Sequence, residues 1–160
     1  NTLHPSAMYD ALRELYEDLI LDHNRNPRNY PIKPEGTNHS AHGFNSLCGD
    51  EFHVHLKIAD GRIEDIGFEG AGCAISTASS SLMTEAVKGM KVEDAKTLFT
   101  HVHEILTEEQ VRDDKQDLLG KLSVLIGVKE YPLRVKCATL IWHTLHAAIN
   151  KEQGIISTDD

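Results

Sequence analysis

Cysteine is scarce in this chain. Three such residues among 160, set far apart, cannot all pair with one another and exclude the framework of a disulfide-dense secreted module. Free thiols are the expectation. No apolar run approaches the roughly 18 residues that cross a bilayer, and Asn1 to Met8 carry neither the basic nor the apolar stretch of a secretory leader. A cytoplasmic protein with no membrane partner is expected. Positive charge is also in deficit: 16 basic against 25 acidic residues leave a formal charge of −9, which repels phosphate backbones and argues against nucleic acid as a partner. Repeats, low-complexity tracts and an acid–base pair or triad of the hydrolase kind are absent as well. What remains, 160 residues with 40% hydrophobic side chains, suits one core. A single domain over residues 1–160 is expected, with its core at about 8–150, an insertion at about 100–120 and mobile termini.

The periodicities then order the chain. Leu12, Leu15, Tyr16 and Leu19 share one helical face and predict an amphipathic helix from about Ser6 to Asn24. Pro27, Pro31, Pro34 and Gly36 break regular structure between Arg25 and Gly43, a connection ending in a short edge strand near His39 to Phe44. Phe52, Val54, Leu56 and Ile58 alternate with Glu51, His53, His55 and Lys57, the period-2 pattern of a half-buried strand. Asp60-Gly61 supplies a hairpin turn, and the return strand is Arg62 to Glu69. Ile75, Ala78, Leu82 and Ala86 follow at helical spacing up to Gly89, and a second helix is predicted from Val92 to about Leu106. Thr107 to Lys121 is charged and reads as a short helix or a mobile insertion. Pro132 opens a last long helix whose apolar face is Val135, Ala138, Ile141, Trp142, Leu145 and Ile149. The fold class is α+β, a small three-stranded antiparallel sheet with helices packed on one face.

Each cysteine stands in chemically suggestive company, and each also has a plain packing explanation. Cys48-Gly49-Asp50 precedes a strand, where the glycine permits a turn that aims a thiolate and a carboxylate at one point. It equally reads as a simple Gly-Asp turn. Cys73 follows Gly70-Ala71-Gly72 at a strand-to-helix turn, where the positive end of the helix dipole favours negative charge. A small residue fitted to a tight turn is the alternative. Cys137 lies early in the last helix beside Arg134 and Lys136, cations that favour an anionic sulfur, or stand there by accident. Three thiols and one carboxylate make four donors, the number a tetrahedral ion takes.

Three segments carry a resemblance. Cys48-Gly49-Asp50, then Gly70-Ala71-Gly72-Cys73-Ala74-Ile75-Ser76 with Ala78-Ser79-Ser80-Ser81-Leu82-Met83-Thr84-Glu85, and Arg134-Val135-Lys136-Cys137 resemble the iron–sulfur cluster assembly scaffold family of the IscU and NifU amino-terminal type. The likeness spans roughly Leu15 to Ile149 and implies the SufE/IscU-like fold. It implies that Cys48, Asp50, Cys73 and Cys137 hold a nascent iron–sulfur cluster, 2Fe-2S or 4Fe-4S and transient, or zinc in its absence. The housekeeping IscU form has a histidine before the last cysteine, inside a Leu-Pro-Pro-Val-Lys segment, whereas this chain reads Tyr131-Pro132-Leu133-Arg134-Val135-Lys136. Together with the long interval from Cys73 to Cys137, which places an insertion near Thr100 to Gly120, that departure resembles the SufU branch. The branch implies a zinc-dependent sulfurtransferase activity, a SufS-type cysteine desulfurase as sulfur donor, and a downstream Suf scaffold or apo iron–sulfur proteins as recipients.

Three functional classes follow: a scaffold for a cluster, a carrier of persulfide sulfur, or a zinc-stabilised binding module that does neither. A carboxylate among soft thiolates is the harder, more exchangeable ligand, which suits a centre that releases its contents. Cys48, in a glycine-containing turn after a long irregular segment, is the expected persulfide acceptor. Ten histidines offer rival sites. His53 and His55 share the polar face of a strand, but two imidazoles alone make a weak site. His101 and His103 fall on different sides of a helix, and His143 and His146 lie one turn apart; surface or packing roles are expected for these. His39 and His42 precede the Cys48 loop and stay open.

Overall fold

A computed structural model describes residues 17–107 and 120–158. Strand β1 (His39–Asn45) runs antiparallel to β2 (Asp50–Ala59), which turns back into β3 (Arg62–Ala71). The turn is the predicted one: Asp60 and Gly61 both take positive φ, at 53° and 73°, as a two-residue hairpin of the favoured hand requires. Alternation decides which side chains go inward. Phe52, Val54 and Leu56 are buried on one face with Ile66 and Phe68 opposite them, while Glu51, His53 and Lys57 point the other way.

A fourth strand corrects the expected three. Strand β4 (Ile155–Ser157) pairs in parallel with β1, so the sheet order is β3-β2-β1-β4 and β1 is not an edge. Three residues are too few to show alternation, and a parallel partner is reached only after a helix has carried the chain back across the sheet.

Helices cover the inner face. Residues 17–25 are helical and form α1, the end of the helix predicted from Ser6; positions 6–16 lie outside the described residues. Helix α2 (Ala74–Val87) and helix α3 (Val92–Thr107) begin and end close to their predicted limits. Of the charged stretch Thr107 to Lys121, residues 108–119 lie outside the described residues. A 3-10 run, Gly120–Glu130, then buries Leu122, Val124, Leu125 and Val128. Helix α4 (Pro132–Ile149) starts at its proline, lies across β1 and β2, and packs beside α2. No helix among the described residues is long and apolar enough to cross a membrane.

Hydroxyls join α2 to its neighbours. Ser76, Ser79, Ser80, Ser81 and Thr84 are fully buried, and small side chains let helices approach closely. Ser79 Oγ donates to the Ala138 carbonyl at 2.7 Å and accepts the Trp142 indole N–H at 3.2 Å, tying α2 to α4. Ser81 Oγ accepts the Arg28 amide at 2.8 Å and bonds His23 Nδ1 at 2.7 Å, which fixes the end of α1.

Burial holds the imidazoles of His23, His55 and His143 below their ordinary value near 6.5. The unfolded chain therefore binds more protons than the folded one in that window, and stability rises with pH there. The contribution is complete above about pH 6.5 and is lost as pH falls from there through the lowered folded-state values. Urea midpoints of the oxidised, metal-free chain should drop on acidification below that point, and His23→Gln should flatten the drop. An equally steep profile in His23→Gln would exclude His23 as a source.

Candidate metal centre

Four segments converge at one end of the sheet. Between β1 and β2 the chain turns through residues 46–49, and Asn45 shapes that turn: its fully buried side-chain oxygen accepts the amides of Leu47 at 3.0 Å and Cys48 at 3.2 Å. Its Nδ2 donates to Thr158 Oγ1 at 2.8 Å, so the tail beyond β4 supports the same loop. Gly49 follows with φ at 68°, and the chain enters β2 at Asp50. Cys48 is thereby left half-buried, between exposed Leu47 and Gly49.

Asp50 points to the inner face and is fully buried. An uncompensated carboxylate in that position is costly. Its Oδ1 accepts the Cys73 amide at 2.8 Å, and its Oδ2 lies 4.0 Å from Cys73 Sγ. Cys73 is the N-cap residue of α2, and its sulfur also lies 3.5 Å from Ser76 Oγ. The close approach of Asp50 to α2 depends on Gly72. A Cβ there would stand 2.5 Å from both Asp50 Oδ1 and Ser76 Oγ.

Cys137 arrives from α4, fully buried, with Sγ 3.7 Å from the Leu133 carbonyl. The structure joins it to Cys48 as a disulfide with the Cα atoms 6.7 Å apart, across 89 positions of sequence. The expectation of three free thiols is corrected accordingly, and Cys73 is the free cysteine. The reason is tertiary: α4 crosses β1 and β2 and delivers its second turn to the Cys48 loop, a meeting that neither local stretch announces.

A donor atom from each of Cys48, Asp50 and Cys137 lies within 4.8 Å of the other two, and Cys73 adjoins through Asp50. A disulfide and joint ligation are alternative uses of this convergence, separated by two electrons: reduction yields two sulfurs that become ligands as thiolates. The donor chemistry fits a tetrahedral, thiophilic ion, with soft sulfurs predominating and a buried carboxylate in need of a cation. All four predicted site residues are thus brought together.

No histidine among the described residues is part of this cluster. His42 faces the opposite side of the sheet, with Nε2 2.8 Å from Glu51 Oε1, and His39 Nδ1 bonds the neighbouring Asn38 Oδ1 at 2.7 Å. His103, His143 and His146 pack as rings around Phe99. Sequence reasoning missed Asn45 and Ser76. The signal for Asn45 was available, since an Asn ahead of a glycine-containing turn can bond the backbone two residues on.

Comparison with known proteins places this geometry in context. The family model for the NifU-like N-terminal domain matches residues 15–155. The chain is 38% identical over 143 residues to the zinc-dependent sulfurtransferase SufU of Bacillus subtilis (strain 168), covering 89% of this chain and 95% of that one. It is 37% identical over 140 residues to the iron–sulfur cluster assembly scaffold protein IscU of Streptococcus pyogenes serotype M1, covering 88% and 86%. Among solved structures it is similar to a protein described as a candidate iron–sulfur cluster assembly scaffold for the SUF system, from Fervidobacterium islandicum AW-1. That match has a TM-score of 0.72 and 30% identity over 82% of this chain and 94% of the other.

Gly72→Ala should disturb the centre without touching a sulfur. The added methyl must displace the Asp50 carboxylate or the Ser76 hydroxyl, at a cost of about 1–3 kcal/mol typical of overpacking. Chemical denaturation should show that loss, and competition with a chromophoric chelator should show weaker zinc binding by the reduced chain. Wild-type values in both would mean that the Asp50 to Cys73 approach is not needed.

Proposed function

Because the chain belongs to the NifU-like N-terminal domain family and stands with its SufU branch, we propose that it serves iron–sulfur cluster assembly by accepting persulfide sulfur from a cysteine desulfurase. The ligand set we assign is Cys48, Asp50, Cys73 and Cys137, with zinc as the resident ion. The observation that carries this reading is the convergence of Cys48, Asp50 and Cys137 donors within 4.8 Å, with Cys73 Sγ 4.0 Å from Asp50. Zinc, when bound, keeps its cysteine ligands in the thiolate form.

The chain's own residues divide the work by position. Cys137 is buried inside a helix and Cys73 is held at a helix N-cap, whereas Cys48 sits half-buried in an exposed turn that can move without unpacking the core. Cys48 is therefore assigned as the acceptor. Its thiolate attacks the outer sulfur of the desulfurase persulfide, a new S–S bond forms on Cys48, and the desulfurase cysteine leaves as a thiolate with no net oxidation. From the disulfide form, a thiol reductant must first supply two electrons to free Cys48 and Cys137. Asn45 holds the loop through the Leu47 and Cys48 amides, and Asp50 holds α2 through the Cys73 amide.

A second reading has the same four donors carry a nascent cluster as cargo, as the name of the Streptococcus relative states for that protein. The buried Asp50 favours it: a hard oxygen donor among sulfurs is the natural point of exchange. The desulfurase is expected to be of the SufS type, with a downstream Suf scaffold or apo iron–sulfur proteins as recipients.

The reduced chain should purify with about one zinc, the content of one tetrahedral shell. Cys73→Ser or Cys137→Ser should abolish it and lower the melting temperature, because metal affinity contributes to folding. Asp50→Ala should weaken zinc yet lengthen the half-life of a reconstituted cluster; unchanged values for both would reduce Asp50 to a turn residue. The wild-type chain should accelerate a cysteine desulfurase several-fold, with mass spectrometry placing the added sulfur on Cys48. Acceleration that survives Cys48→Ala would remove the carrier reading.

A further inference from the structure

The sheet has a second face, and it carries a second set of donors. Because side chains alternate along β2, Asp50 points inward to the cysteines while Glu51 and His53 point outward. His42 of β1 is directly opposite His53 in the ladder, and Phe44 is opposite Glu51. The His42 and His53 rings stack with centroids 4.1 Å apart and planes within 14°. Glu51 Oε1 lies 2.8 Å from His42 Nε2, and one donor atom from each of His42, Glu51 and His53 lies within 4.8 Å of the other two.

We propose that His42, His53 and Glu51 form a second metal site, taking a divalent transition ion such as nickel, copper or zinc on the face of the sheet opposite the cysteines. Two imidazoles and one carboxylate suit such ions, all of which take imidazole as a good ligand. Donors held about 2.1 Å from one ion and at right angles stand about 3.0 Å apart. The 2.8 Å separation of His42 from Glu51 is already close to that spacing. A plain ion pair between His42 and Glu51 accounts for two of these groups, and His53, stacked between His42 and His55, brings a third donor to the same point. Nor is the set a chance meeting of loops. All three donors stand on paired strands, and β1 is flanked by β2 on one side and β4 on the other, so only side-chain freedom is lost on binding. His42 is the nearer neighbour of His53: the His55 ring also lies parallel to His53 but with centroids 6.4 Å apart, and its Nδ1 is 2.8 Å from Ser40 Oγ. Three partly exposed donors make a weaker centre than three thiols and a carboxylate.

The test uses nickel chloride with the oxidised chain, in which Cys48 and Cys137 are spent on their disulfide. Its result is therefore independent of the proposed zinc centre. One nickel should bind, and its paramagnetism should broaden the amide signals of His42, Glu51 and His53 most strongly. His42→Ala, His53→Ala and Glu51→Gln, all on the outer face, should fold normally. Each should weaken nickel by at least about tenfold, the least that losing even an outer partner of a metal ligand costs. Unchanged nickel affinity in any of the three, or broadening centred on His101, His103, His143 or His146, overturns the site.

Discussion

The contact between α2 and α4 is the constraint on which the site depends. Ser79 donates a hydrogen bond to the Ala138 carbonyl and accepts one from the Trp142 indole N–H, so a single buried hydroxyl bridges consecutive turns of α4. Ala138 follows Cys137, and Ser79 lies less than two turns from Cys73, so this bond sets how the two helix starts face each other. A buried indole N–H left without a partner costs about 1–3 kcal/mol. Sliding α4 along α2 would incur that cost and would also carry Cys137 away from Cys48. Small residues on α2 are accordingly a requirement of the centre, because a bulky side chain at position 79 would push the two sulfur-bearing ends apart.

Much of this was legible in sequence because its signals are local. The alternation of β2, the Asp60-Gly61 turn and the proline at the start of α4 each declare themselves within a few residues and appear as expected, except that His55 on the polar face is buried and Ile58 is only half-buried. Strand β4 did not, because Ile155–Ser157 becomes a strand only through β1. The run Gly120–Glu130 was missed for a different reason. Of its buried residues Leu122, Val124, Leu125 and Val128, three recur every third position, the period of a 3-10 helix, and the α-helical period passes over them. The four residues proposed for the centre were singled out by their immediate neighbours and a family resemblance. Their disulfide was not, since nothing local to Cys48 or Cys137 reports a partner 89 positions away.

The disulfide and the metal reading illuminate each other. Cys137 is sealed in the core, so any chemistry it undergoes must come through the Cys48 side of the site, where the chain is exposed at Leu47 and Gly49. A pair with one buried and one accessible sulfur gives an attacking thiol a single approach, to Cys48. The position proposed to accept sulfur from a partner is thus also the position through which a reductant reopens the centre.

The first residues of β2 divide the molecule's chemistry between two faces. Asp50 and Glu51 are adjacent carboxylates, yet the pleat sends one into the core with soft sulfur donors and the other outward to imidazoles. No shift of register exchanges them without cost: a slip of one residue would bring Glu51 inward against Cys73 and expose Phe52, Val54 and Leu56 to solvent. The hydrophobic alternation that makes β2 a strand is therefore what keeps the two donor sets apart. Different ligand softness on each side then gives different ions a reason to choose between them.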